Sequence, residues 1–384
     1  MAFQEDEEID QFDRLPDAIL RLVFNKLHDA RSLTRSMSVC KRFAEIIPEN
    51  DTVSLTIPRR IAVKRQPQPC DDLVATKSSC SGSRRESGGS PADSKSVFKS
   101  LIRRIVTAPI RFILRGILSS KSARFGNDDG ADCPFYSPNE VLKNFKEIQS
   151  LRIEIPTGEI GSGGRDSLLR WRAEFGSELQ SCVIFGAKSL RRTSRNPNDD
   201  KGIDEQRQLQ RNRSEDDVSI GDDELKLRIV WAISCLISAS ARHYLLQRVV
   251  SEHLMVRRVV IGDGSKQGRV RMEREQIEEL RKNVDLEAES ERRPVPALKM
   301  KLWHVKELEV REGWVVEGAT VLVIRPAEEG EKKKAKEERD CDLVSRVWNG
   351  GEEEEEEEEE RVVGEAVREL MKKKRTCTLE MNSF

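Results

Sequence analysis

Catalysis needs nucleophiles, bases or metal ligands placed together, and in this chain the residues that could supply them stand apart. The four histidines, His28, His243, His253 and His304, form no HExxH pair, and none is visibly bracketed with a nucleophile and an acid. The eight cysteines are scattered without a CxxC pair, so the spacing suggests neither a metal site nor a disulfide framework, and no cofactor is implied. Gly161-Ser162-Gly163-Gly164 lacks the Lys-Ser/Thr that a phosphate-cradling loop requires and reads as a connection. The glutamates from Glu352 to Glu360 lack the spaced oxygens and glycine turn of a calcium loop. The chemistry that remains is recognition. Its densest residues are Leu15, Pro16, Ile19, Leu20, Val23, Phe24 and Leu27, followed by Ser38-Val39-Cys40-Lys41-Arg42-Phe43.

Short helices must position these side chains. Pro16 suits the first turn of a helix, where its missing N–H is harmless, and Asp17 complements the positive end of the helix dipole. Ile19, Val23 and Leu27 recur at a spacing of four, with Leu20 and Phe24 beside them. His28 and Asp29 interrupt the pattern. Leu33 and Met37 suggest a second helix, and Phe43, Ile46 and Ile47 a third that ends before Pro48. A unit of about 40 residues is at the lower limit for folding alone, so a partner is expected to cover its apolar face. Five or six aliphatic side chains, buried at about 1.5–3 kcal/mol each, would yield about 8–18 kcal/mol. That is comparable to the roughly 4–15 kcal/mol cost of association.

In identity, order and spacing, residues 12–43 resemble the F-box. Phe43 stands where many members have tryptophan. The resemblance implies a noncatalytic substrate receptor of an SCF-type E3 ubiquitin ligase, whose F-box docks on a Skp-type adaptor and through it on cullin and RING subunits. Carried over by position, Leu15, Pro16, Ile19, Leu20, Phe24, Leu27, Val39, Cys40, Lys41 and Arg42 are the candidates for adaptor contact or support. The segments SPNEVLKNFKEIQSLRIEIPTGEI, LLRWRAEFGSELQSCVIFGA and RTCTLEMNSF are similar to a group of plant F-box proteins whose C-terminal domain carries no named ligand-binding repeat. That likeness implies a protein target without naming it. The alternative is an adaptor-bound scaffold acting outside ubiquitin transfer, with association to a membrane surface as a variant of that reading.

Composition bounds the remainder. The 384 residues allow two domains, and 35% are charged, against about 25% in an ordinary domain, so part of the length is expected to be unfolded polar sequence. The net charge of −1 hides segregation. Residues 1–11 are an acidic N-terminus and 12–50 the F-box; 51–96, rich in Pro, Ser and Gly, read as a flexible linker. Residues 97–124 form a basic amphipathic helical segment. Two readings are open for its Val97–Leu118 core: a helix at an anionic membrane surface, or a helical pair packed on the following domain with its arginines outward, the reading adopted. It has no zinc-finger, RNP or helix-turn-helix pattern, which argues against nucleic acid. Without a leader, and with an apolar run from Ile229 to Ser240 shorter than the ~20 residues of a membrane helix, the chain is expected in cytoplasm or nucleus.

Residues 134–326 are expected to form an α/β target-binding domain with a disordered insertion at 191–222, then a charged low-complexity linker at 327–360 and a terminal segment at 361–384. The fold class is therefore multidomain α+β. Ile148–Ile155 alternates as a strand, Ser167–Leu179 follows at helical period through Leu168, Trp171, Phe175 and Leu179, and Cys182–Phe185 is a strand. This order predicts a parallel βαβ unit. Two helices are predicted over Asp223–Ser240 and Tyr244–His253, a hairpin over Met255–Met272, a helix over Glu273–Arg281, and short strands to Arg325. Without a fixed period the pattern resembles at most degenerate leucine-rich repeats.

Overall fold

The computed structural model describes residues 12, 14–57, 138–156, 168–192, 220–283, 297–327, 339–349 and 358–381. The basic segment 97–124, most of the 51–96 segment and the interior of the 191–222 insertion lie outside the described residues. Three helices open the chain: α1 (Asp17–Leu27), α2 (Ala30–Met37) and α3 (Lys41–Ile46). Next come β1 (Thr52–Thr56), α4 (Pro138–Leu142), β2 (Ser150–Ile155), β3 (Leu168–Phe175), β4 (Leu179–Ala187) and β5 (Ser189–Arg192). A long helix, α5 (Asp222–Glu252), precedes β6 (Arg258–Asp263), β7 (Gly268–Met272) and α6 (Arg274–Asn283). The chain closes with β8 (Leu298–His304), β9 (Glu307–Val310), β10 (Trp314–Glu317), β11 (Thr320–Pro326), α7 (Asp340–Asn349), α8 (Glu358–Met371) and β12 (Cys377–Met381).

A nine-stranded mixed sheet, ordered β1-β2-β6-β7-β3-β4-β11-β8-β12, is the frame, with a three-stranded sheet β5-β10-β9 beside it. Strands β1, β2 and β6 run parallel, as do β3 and β7; the other neighbours are antiparallel. Alternate residues of the sheet feed two cores. Cys182 and Ile184 of β4 and Leu322 and Ile324 of β11 enter the one covered by α5. Val183, Phe185, Val321 and Val323 enter the other, under α7 and α8.

Several expectations give way here. Leu168–Leu179, expected as the body of a helix, is strand β3 and the turn into β4 of an antiparallel hairpin, so these strands do not form the expected parallel βαβ unit. Leu169, Trp171, Ala173 and Phe175 alternate into the α5 core, and the intervening Arg170, Arg172 and Glu174 meet charged partners from α7 and α8. The two helices expected across Asp223–His253 are one helix of 31 residues. Asp222, Asp223 and Glu224 sit in its first turn, and Arg281 donates to the carbonyls of Val250, His253 and Val256 at its end (3.3, 2.8 and 3.1 Å). By length and composition α5 could cross a membrane, yet it buries Val230, Trp231, Cys235, Leu246 and Val249 against the sheet. The degenerate leucine-rich arrangement is not found, because the sheet is mostly antiparallel and built from distant segments. Residues 52–56, expected in a linker, are edge strand β1, and residues 327–360 contain α7 and the first turn of α8. Arg191 and Arg192, expected in the insertion, belong to β5, and Asp222 begins α5.

Candidate functional site

The three N-terminal helices are fastened by specific side chains. Pro16 stands at the N-cap of α1, one residue before the first turn, and Asp17 follows it in that turn. The chain leaves α1 through His28, whose φ of 48° lets it turn directly into α2. Asp29 caps α2, accepting from the Ser32 N–H (2.9 Å) and hydroxyl (2.6 Å). Burial alone would raise the Asp29 carboxyl, but these bonds and Arg31 hold it below its ordinary 3.8. Phe43 packs edge-on against Phe24 (5.0 Å between centroids) and Phe12 (5.6 Å).

Arg42 clasps α3 to the start of α1. Its guanidinium bonds Asp17 Oδ1 at 2.9 and 2.6 Å and donates to the carbonyls of Phe12 (2.9 Å) and Leu15. A side chain so engaged supports the surface, and one rim-exposed pair alone would add little.

Helix α1 is apolar on two faces. Leu20 and Phe24 point inward and are 1% and 4% exposed, so they support the site from beneath. Ile19, Val23 and Leu27 form the outer row at 43%, 45% and 44% exposure, with Leu22 beside them at 60%. Val39, at 71%, lies with Cys40 in the exposed turn that leads into Lys41, the exposed first residue of α3; Pro16 is exposed and Leu15 half-buried. The candidates thus separate into an exposed set (Pro16, Ile19, Leu27, Val39, Cys40, Lys41) and a supporting set (Leu15, Leu20, Phe24, Arg42). Sequence reasoning missed Leu22. Its signal was its place three residues after Ile19 on the same helix.

The inner face meets the protein's own sheet. α2 packs on α4 and β1, and Leu20, Phe24, Leu33 and Ile47 share one core with Val53, Leu142, Phe145, Ile148 and Leu151. Asn50 Nδ2 donates to the Phe24 carbonyl (2.9 Å), and the N–H groups of Gln149 and Ser150 donate to the Asp51 carbonyl (2.7 and 2.9 Å).

Elsewhere, among the described residues, several reactive residue types are buried in packing. Burial pushes the Cys182 thiol up to about 12 and Cys235 the same way, which removes thiolate character. Thr320 Oγ1 lies 3.0 Å from His304 Nδ1, a hydroxyl–imidazole contact among the described residues. It is 1% exposed and accepts from Arg228 Nε (3.0 Å), so no substrate can reach it. His243 lies under Phe175, and Asp263 is tied to Arg242 (2.5 Å) and to the N–H groups of Gln267 and Gly268 (2.9 and 3.0 Å).

Comparison with known proteins agrees with this geometry. The F-box-like family profile matches residues 12–53, which include β1's first residues as well as the three helices. Over 98% of its length the chain is 38% identical to F-box protein At5g46170 of Arabidopsis thaliana, covering 94% of that relative. It is 37% identical to F-box protein At4g18380 of the same plant over 99% of this chain and 96% of the relative. F-box protein AUF2, also from Arabidopsis thaliana, is 29% identical over 98% of this chain and all (100%) of its own length. No solved structure matches. With three helices clasped by Arg42, an outward apolar row, and relatives matched almost end to end, this chain belongs to the plant F-box proteins.

Proposed function

We propose that the protein is the substrate-recognition subunit of an SCF-type E3 ubiquitin ligase and performs no chemistry itself. The exposed row Ile19-Leu22-Val23-Leu27, with Pro16 and the exposed residues Val39, Cys40 and Lys41, docks a Skp-type adaptor; Leu15, Leu20, Phe24 and Arg42 hold that row in shape. The sheet-rich remainder presents a protein target to the charged conjugating enzyme, so the gain in rate comes from proximity. The observation that carries this reading is the outward apolar row on α1 in a chain of this family. Five aliphatic side chains left about half exposed represent on the order of 4–8 kcal/mol of unrealised burial. Since association costs roughly 4–15 kcal/mol, polar contacts at the rim, Lys41 among them, are part of the docking.

Co-purification with Skp-type adaptors tests it. Ile19→Asp with Val23→Asp is expected to abolish adaptor binding while the circular dichroism of the full chain is unchanged, because neither side chain enters the core. Failure of the intact chain to bind any adaptor paralogue would sink the proposal. Target half-life with and without the protein then separates ubiquitin transfer from scaffolding: a target that accumulates on depletion belongs to a ligase substrate.

A further inference from the structure

Helix α5 is apolar on its outer side as well as its inner one. Trp231, Cys235, Leu246 and Val249 are buried on the sheet, yet the helix's most apolar stretch of 18 residues is only 56% buried. At about 3.6 residues per turn, Ile229, Ile233, Leu236, Ile237, Ser240 and Tyr244 fall on one outward stripe. Ile233 and Tyr244 are 42% and 46% exposed, Ser240 is exposed, and the other three are half-buried. This stripe runs for about 22 Å without a charged residue. A surface helix ordinarily turns charged residues outward, and one that is apolar all round is covered on both sides.

We infer that the outer stripe of α5 seats the chain's own residues 97–118. These lie outside the described residues, and their sequence complements the stripe. Phe98, Ile102 and Ile105, then Ile110, Leu114 and Ile117, recur at spacings of three and four on either side of Pro109, while Lys99, Arg103, Arg111 and Arg115 fall on the other side. The tether is suited to the contact. After residues 58–137 the described chain resumes at α4, where Asn139 Nδ2 donates to Glu252 Oε2 at the end of α5 (2.6 Å). About 20 positions separate Leu118 from Pro138, a reach of up to roughly 65 Å, whereas Ile229 at the far end of the stripe lies about 35 Å along α5 from Glu252. A tether of this length gives the segment an effective concentration on the order of millimolar at the stripe, which favours it over a second copy or a partner's helix. Charge selects in the same direction. Residues 97–118 contain arginine and lysine but no acid, the stripe presents no cation to them, and Asp222 and Asp223 stand exposed at the start of α5. Those carboxylates, with Glu252 at the other end, disfavour an anionic bilayer as the cover.

Photo-crosslinking of the full chain tests it, with p-benzoylphenylalanine incorporated in place of Ile233 and, separately, of Tyr244. Mass spectrometry is expected to find cross-links within one chain to peptides from residues 97–118 at both positions, and none when the probe replaces the exposed Thr378 of β12. Ile233→Gln with Tyr244→Gln is expected to speed trypsin cleavage after Arg103 and Arg111 about tenfold while the circular dichroism is unchanged, since cleavage follows the population of the open segment. If that pair lowers the melting temperature, Ile233→Gln alone supplies the comparison. Cross-links that join two copies, cross-links to phosphatidylserine vesicles in place of the segment, absence of any link to residues 97–118, or equal cleavage of parent and variant would overturn the inference.

Discussion

His243 lies on α5 with its ring stacked 4.3 Å from Phe175 and Nε2 3.0 Å from the Gly176 carbonyl, to which the neutral ring donates. Burial, only partly opposed by that bond, pushes the imidazole from its ordinary 6.5 down to about 4. The unfolded chain therefore takes up a proton near pH 6.5 and the native chain only near 4, so unfolding consumes a proton between these values. The stabilisation is fully present above 6.5 and falls as acid is added toward 4, by about 3 kcal/mol over the window. His304, lowered chiefly by burial as well, acts in the same direction. His243→Gln keeps a donor for Gly176 and removes the titration. Urea unfolding at pH about 7 and about 4.5 is expected to show a smaller acid loss in the variant than in the parent. Equal losses would mean that His243 is not the titrating group. None of this is legible in the sequence, where His243 follows Arg242 in a mixed stretch and the Phe175 and Gly176 that bury it stand almost seventy positions away.

At the level of elements, legibility depends on whether a segment's partners are local. The first three helices are readable because their caps, breaks and apolar spacing all fall within residues 12–50. Which side of α1 faces inward is not readable, since the 20/24 and 19/23/27 rows are equally apolar and only the sheet selects between them. β3 fails for a similar reason: its sequence fits both a helical stripe and an alternating strand, and the charges that satisfy the second arrive from α7 and α8. The nine glutamates from Glu352 to Glu360 show the converse, identical letters with unequal roles. Glu358 is half-exposed and pairs at 3.5 Å with an exposed Arg192, a contact worth a few tenths of a kcal/mol (about 0.3). Glu360 pairs with Arg172, whose side chain is 10% exposed beneath Trp348. Removing that carboxylate takes a charge-assisted bond from a shielded guanidinium that also donates to the Trp348 carbonyl, a loss of about 2–3 kcal/mol. Urea unfolding of Glu360→Ala and Glu358→Ala is expected to differ by at least 1 kcal/mol or so; equal midpoints would show that the run acts only by its total charge.

The whole molecule departs furthest from what its sequence suggests, because the F-box and the sheet share one core where a flexible linker is expected. The connection is invisible locally: β1 pairs with β2 across about 100 positions, Thr52 beside Ser150, and no short-range pattern announces a contact of that separation. Its consequence is cooperative unfolding. Leu20, 1% exposed in α1, belongs to the same core as Phe145, Ile148 and Leu151. Leu20→Ala is expected to cost about 2–5 kcal/mol through lost burial and the cavity left behind. All five tryptophans, Trp171, Trp231, Trp303, Trp314 and Trp348, lie beyond the F-box, so their fluorescence reports only on the sheet region. If the core is continuous, that substitution lowers the urea midpoint seen by tryptophan, and a single transition persists by fluorescence and circular dichroism. An unmoved tryptophan midpoint, with a separate early loss of helical signal, would make the F-box an independent unit. A shared core also fixes the direction of the outward row of α1 relative to the sheet, so whatever docks on that row is held at one geometry to the sheet rather than across a free tether.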